Sequence, residues 1–142
     1  MVDYFIPITQ LVSLTASGDT KNIISTWEQI NPKLYPKALE AIYLTHTLSG
    51  IPRAINAFTE IFKSYPNEYI TFISSFNPVK YPYTKGEEIF NKVYKTPSVI
   101  HKLRTHLKTL YPPLEHSIIK HTYGEVFGRG VLSFLEIEYC VI

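Results

Sequence analysis

The sequence predicts an all-α fold, a multi-helix bundle of about eight or nine short helices in one domain. Three observations predict it. Apolar residues recur at helical spacing through almost every segment. The 10 prolines and 6 glycines fall between those segments, where helices start and stop. Two segments open on Ser/Thr-x-x-Glu, the pattern of a capping box.

Taken in order, Ile8, Leu11, Val12 and Leu14 form a stripe that ends at Ser17-Gly18. Asp19 or Thr20 is placed to cap the next helix, with Ile23, Ile24, Trp27 and Ile30 as its buried face and Asn31-Pro32 as its end. Pro36 suits the first turn of a third helix, where Ala38, Leu39, Ile42 and Tyr43 lead to Ser49-Gly50. Pro52 opens a fourth with Ile55, Ala57, Phe58, Ile61 and Phe62 as its apolar positions. The stretch from Tyr65 to Tyr83 holds three prolines and a cluster of tyrosines and phenylalanines. Within it Glu68 to Phe76 reads as a short helix and Asn77 to Tyr83 as a connecting loop.

Thr84-Lys85-Gly86-Glu87 is the first capping box, with Ile89, Phe90, Val93 and Tyr94 as the apolar face behind it. Pro97 starts a helix in which Ile100, Leu103, Leu107 and Leu110 repeat at helical spacing. Pro112-Pro113 starts another, carrying Leu114, Ile118, Ile119, Tyr123, Val126 and Phe127, and Gly128-Arg129-Gly130 breaks it. Ser133-Phe134-Leu135-Glu136 is the second capping box, followed by Ile137, Tyr139, Cys140, Val141 and Ile142.

A chain of 142 residues with 18% charged and 14% aromatic side chains has ample apolar surface to fold, so disorder is excluded. No long uncharged apolar run is present, so no membrane span is expected. The start Met1-Val-Asp-Tyr-Phe-Ile-Pro lacks the basic residues of a targeting leader, which with one cysteine predicts a cytoplasmic, reducing location. That single cysteine excludes an internal disulfide, a Cys-x-x-Cys pair and a cysteine zinc cage. A net charge of +2 selects no polyanionic partner. The absence of aromatic interleaving among the basic residues predicts no nucleic-acid binding.

Near the C-terminus the chain reads Tyr123-Gly124-Glu125-Val126, then Arg129-Gly130, then Leu132-Ser133 with Glu136 and Glu138. In that order the elements resemble the opening half of the carboxymuconolactone decarboxylase family, related to alkylhydroperoxidase D. Leu110-Tyr-Pro-Pro-Leu114 and the helix from Gly86 to Tyr94 fit its two-copy members, and Ser49-Gly-Ile-Pro-Arg-Ala-Ile-Asn-Ala57 resembles the closing element of a first copy. The resemblance implies a bundle of the alkylhydroperoxidase D-like type. Residues 1-64 would be a degenerate first copy, 65-83 a connector, and 84-142 the opening half of a second copy. The family does its chemistry from a Cys-x-x-Cys/His or paired-His helix that follows the one starting at Ser133. The chain ends before that helix, and its first-copy counterpart, Asp19 to Ile30, has neither Cys nor His.

The candidate catalytic residues are therefore few. Glu138 matches the family's proton-relay acid, and Cys140 is the one thiol. Its apolar neighbours predict a buried structural group rather than an activated nucleophile. His121 and Glu125 stand four apart and are placed to touch. His101/His106 and His116/His121 are each five apart, about 140° around a helix, which suits no shared metal. No cofactor or metal is expected. Lys92, Lys95, Lys102, Arg104 and Lys108 occur in a stretch without an acid and read as a solvated face. The last helix carries apolar residues almost all round, a pattern that predicts a homo-oligomer or a subunit of a larger complex. The function expected is thus that of a non-catalytic, degenerate family member. The alternative is a thiol peroxidase or lactone decarboxylase-like enzyme whose motif helix lies past Ile142 or on a partner.

Overall fold

The computed structural model describes residues 2–74 and 83–142. Among them every regular element is helical, and nine α-helices are present. They are α1 (Ile6–Ser17), α2 (Ile23–Trp27), α3 (Tyr35–Ser49), α4 (Ile51–Ser64), α5 (Pro66–Ser74), α6 (Tyr83–Tyr94), α7 (Pro97–Leu110), α8 (Pro112–Ser117) and α9 (Phe134–Val141). A π-helical segment, Ile118–Val126, continues α8, and short 3₁₀ turns precede α1, α2 and α3. The all-α expectation therefore holds. Most of the connector loop read at Asn77 to Tyr83 lies outside the described residues; Tyr83 already belongs to α6. Thr84 accordingly falls inside α6 rather than capping it.

The chain divides into two compact units, Met1–Asn77 with Val131–Ile142, and Pro78–Gly130. The C-terminal segment thus groups with the N-terminal half and not with the residues just before it.

In the first unit α1 packs against α2, α3 and α4, and α9 rests on α1 and α3. Trp27, Phe5, Ile8, Leu11, Ile23, Ile42, Leu44 and Ile61 are buried to within 2% exposure and form the core. Fully burying side chains of this size contributes about 1.5–3 kcal/mol each. The hydroxyls of Thr15 and Thr45 are buried too, and each donates to the carbonyl four residues back, at 2.7 and 2.9 Å. Gly18 closes α1 at φ 78°, a left-handed conformation that glycine adopts without strain. On α4 the structure corrects the apolar face. Ala54, Ala57 and Ile61 are buried, while Ile55 and Phe62 point outward. Helix α4 packs against α1, α2 and α3, and its alanine side is the one covered.

In the second unit α6 packs along the π segment. Ile89, Phe90, Ile119 and Tyr123 form its core, with Tyr94, Ile100, Leu103, Ile118 and Phe127 around it. The contact is close because Gly86 faces the turn that joins Ile119 to Gly124. A Cβ on Gly86 would lie 2.0 Å from the Ile119 carbonyl oxygen. Regular α-helix was the expectation for this stretch. The observed i→i+5 turn widens the helix where the two glycines meet. Helix α7 buries none of its 14 residues fully, and Leu110 is open to solvent, as is Leu114 on α8.

Candidate functional site

Helix α9 begins as its sequence dictates. Ser133 accepts from the Glu136 amide at 3.3 Å, and the Glu136 carboxylate accepts from the Ser133 amide at 2.9 Å. This capping box fixes the helix phase, so Ile137 and Cys140 face inward and Glu138 faces solvent. Glu136 also meets Lys37 of α3 at 2.6 Å. Burial works to raise the pKa of Glu136, but the hydrogen bonds from Lys37 and the Ser133 amide outweigh it and hold the carboxyl below its usual range.

Cys140 lies on the wall of a groove of about 770 Å³ between α1, α2 and α9. Thr9, Ser13 and Ser17 line it from α1, Ser25 and Thr26 from α2, and Tyr139 from α9. Several of these hydroxyls are already engaged. Thr9 donates to the Ile6 carbonyl, Ser17 to that of Leu14, and Ser25 to that of Asn22. The lining holds no histidine, carboxylate, lysine or arginine. Burial, followed by the nearby Glu136 charge, pushes the Cys140 thiol up to about 12, so it remains a neutral thiol at pH 7. No cationic side chain lines the groove that would favour the thiolate. Glu138 and Cys140 stand two residues apart and therefore on opposite sides of α9.

His121 belongs to the other unit, on the π segment. Its Nδ1 lies 2.6 Å from Glu125 Oε2, and both side chains are about two-fifths exposed, at 43% and 37%. The i, i+4 contact expected for this pair is present. The three candidate residues are thus divided between the two units, Glu138 and Cys140 in one and His121 in the other. Among the described residues no group of three or more His, Cys, Asp or Glu converges as a metal site would require.

Sequence reasoning missed two polar constructions in the second unit. Arg104 reaches Glu115 through Nε at 2.7 Å and Glu87 through Nη1 at 2.6 Å, and Glu115 is buried. The Tyr94 and Tyr123 hydroxyls meet at 2.9 Å inside a ring cluster with Phe90 and Phe127. Burial and that hydrogen bond push the Tyr123 hydroxyl well above its ordinary value. The helical positions of Glu87, Arg104 and Glu115 could be read from the sequence, but nothing local indicated that α6, α7 and α8 bring them together.

No helix among the described residues is long and apolar enough to cross a membrane. Comparisons with protein-family models, curated proteins and solved structures find no match.

Proposed function

We propose that this chain is a non-catalytic helical interaction protein, a degenerate carboxymuconolactone decarboxylase-like member that acts by self-association or as a subunit of a larger assembly. The observation that carries this reading is the outer face of α9. Phe134, Leu135 and Val141 stand 42%, 52% and 43% exposed on an eight-residue helix. In the same unit α4 turns Ile51, Ile55 and Phe62 outward at 61%, 54% and 46%. Residues 51, 55 and 62 fall on one helical face, so they form a stripe rather than isolated exposures. Exposed apolar residues that share one helix face favour cover by another chain.

The chemistry around Cys140 supports the non-catalytic side of the reading. Within its own unit Cys140 is a buried neutral thiol, and Glu138, two residues away, faces outward, which favours a structural role for the thiol.

Light scattering of the purified chain at micromolar concentration tests the reading. A mass at a multiple of the monomer is expected, and Leu135→Lys with Val141→Lys is expected to return it to the monomer. Both positions are exposed, so the substitutions leave the core intact. A stable monomer of the parent chain at that concentration, with no partner needed for folding, would overturn self-association. Peroxide consumption with a thiol reductant is expected to be absent. Turnover that disappears in Cys140→Ala would overturn the non-catalytic reading.

A further inference from the structure

We infer that the groove between α6 and α7 is a binding site for a small organic phosphate. The groove has a volume of about 710 Å³ and lies wholly within the second unit. Helix α7 lines it with His101, Arg104, Thr105 and Lys108, the i, i+3, i+4, i+7 spacing of one helical face. Helix α6 contributes Glu87 and Asn91, and the turn between them contributes Lys95. Lys95 has φ 59°, in the left-handed region that side-chain-bearing residues seldom adopt. Its amide donates to the Asn91 carbonyl at 2.9 Å, and the Thr96 amide donates to that of Tyr94 at 2.6 Å. The turn is therefore hydrogen-bonded on both sides of the residue that brings an ammonium to the groove.

The ligand class follows from which charges are already matched. Arg104 is committed to Glu115 and Glu87, so its planar fork serves as a fixed floor rather than as a clamp for an incoming carboxylate. Lys95 and Lys108 form no ion pair among the described residues. Both ammonium groups line the same groove, one before the start of α7 and one near its end, so the groove carries positive charge beyond what Glu87 offsets and suits an anion. Each offers donors in several directions, which fits the tetrahedral oxygens of a phosphoryl group better than a planar carboxylate. Thr105, Asn91 and His101 add neutral hydrogen-bonding groups for the remainder of the molecule. The volume lies in the range of small-molecule sites. No tyrosine, phenylalanine or tryptophan lines the groove, so it lacks the stacking platform a nucleic-acid strand would use. The first turn of α7, at Pro97, adds its partial positive charge to the same space.

The test is an amide chemical-shift titration of the full chain with inorganic pyrophosphate and glycerol phosphate. Glycerol, citrate and a short single-stranded RNA serve as comparison ligands. Saturable shifts confined to residues 91–108 are expected for the two phosphates. Glycerol should give none, and citrate and RNA should bind more weakly. Lys95→Gln combined with Lys108→Gln should weaken phosphate binding about tenfold or more, with an unchanged circular dichroism spectrum. Lys63→Gln, at an exposed lysine of the other unit, should leave binding unchanged. Equal binding by the double variant, shifts that do not saturate, or tighter binding of citrate or RNA than of the phosphates would overturn the proposal.

Discussion

The unit formed by Met1–Asn77 and Val131–Ile142 buries Trp27, Phe5 and a run of isoleucines and leucines, and its main polar link is the Lys37–Glu136 pair at its edge. The unit Pro78–Gly130 buries far less. Its four core residues include two aromatic rings, and its helices are tied by the Arg104 bridge and the Tyr94–Tyr123 hydrogen bond. The difference separates two ways of positioning helices. Apolar packing is non-directional and tolerates small shifts, whereas the bridge and the glycine contact allow only one relative placement of α6, α7 and the π segment.

The largest effect that would sharpen this contrast belongs to Trp27→Ala. Trp27 is 1% exposed, so its loss is expected to reduce stability by about 3–5 kcal/mol in urea denaturation followed by circular dichroism. A loss below about 1 kcal/mol would mean that the first unit does not depend on its apolar centre.

Arg104→Met comes next, at about 3 kcal/mol, because it leaves the Glu115 carboxylate, 4% exposed, without its partner. The double variant Arg104→Met/Glu115→Leu should recover most of that loss, since removing both charges also removes the buried unpaired one. If the double variant is no better than the single, the bridge contributes by packing alone and the contrast between the units fails.

Gly86→Ala should reduce stability by about 2 kcal/mol, because its Cβ would meet a backbone oxygen that cannot swing aside. Gly124→Ala is the control. Its Cβ would find its nearest neighbour at 3.5 Å, an ordinary contact, so a change within about 0.5 kcal/mol is expected from the same measurement.

The smallest effect is the pH dependence of the Lys37–Glu136 pair. A carboxyl held below its ordinary pKa contributes stability that is complete above the unfolded value. That contribution is lost as pH falls through the folded value. For Glu136 the loss should therefore begin near the ordinary value of 4.5 and be completed below it. Glu136→Gln should reduce stability by about 1 kcal/mol at pH 7 and flatten the acid limb of the stability curve. An unchanged acid limb would show that the pair has no net worth.

Much of this architecture was legible locally. The stripe ending at Gly18, the proline starts of α4 and α7, the short helix within the 65–83 stretch and the Ser133 capping box all depend on residues within one or two turns. So did the His121–Glu125 contact and the burial of Cys140 among apolar neighbours. Other features were decided only when the chain folded back. Which face of α4 is covered, the widened turn at Gly124, and the convergence of Lys95 and Lys108 on one groove each need a second helix. The Lys37–Glu136 pair spans 99 residues of sequence. Backbone hydrogen bonds and caps act across a few residues, so the sequence alone marked starts and stops such as Gly18 and Ser133, whereas Thr84 falls inside α6 despite its capping pattern. Burial and charge pairing depend on what a helix packs against, so the tertiary structure decided which side chains are hidden, which are matched, and which are left facing outward.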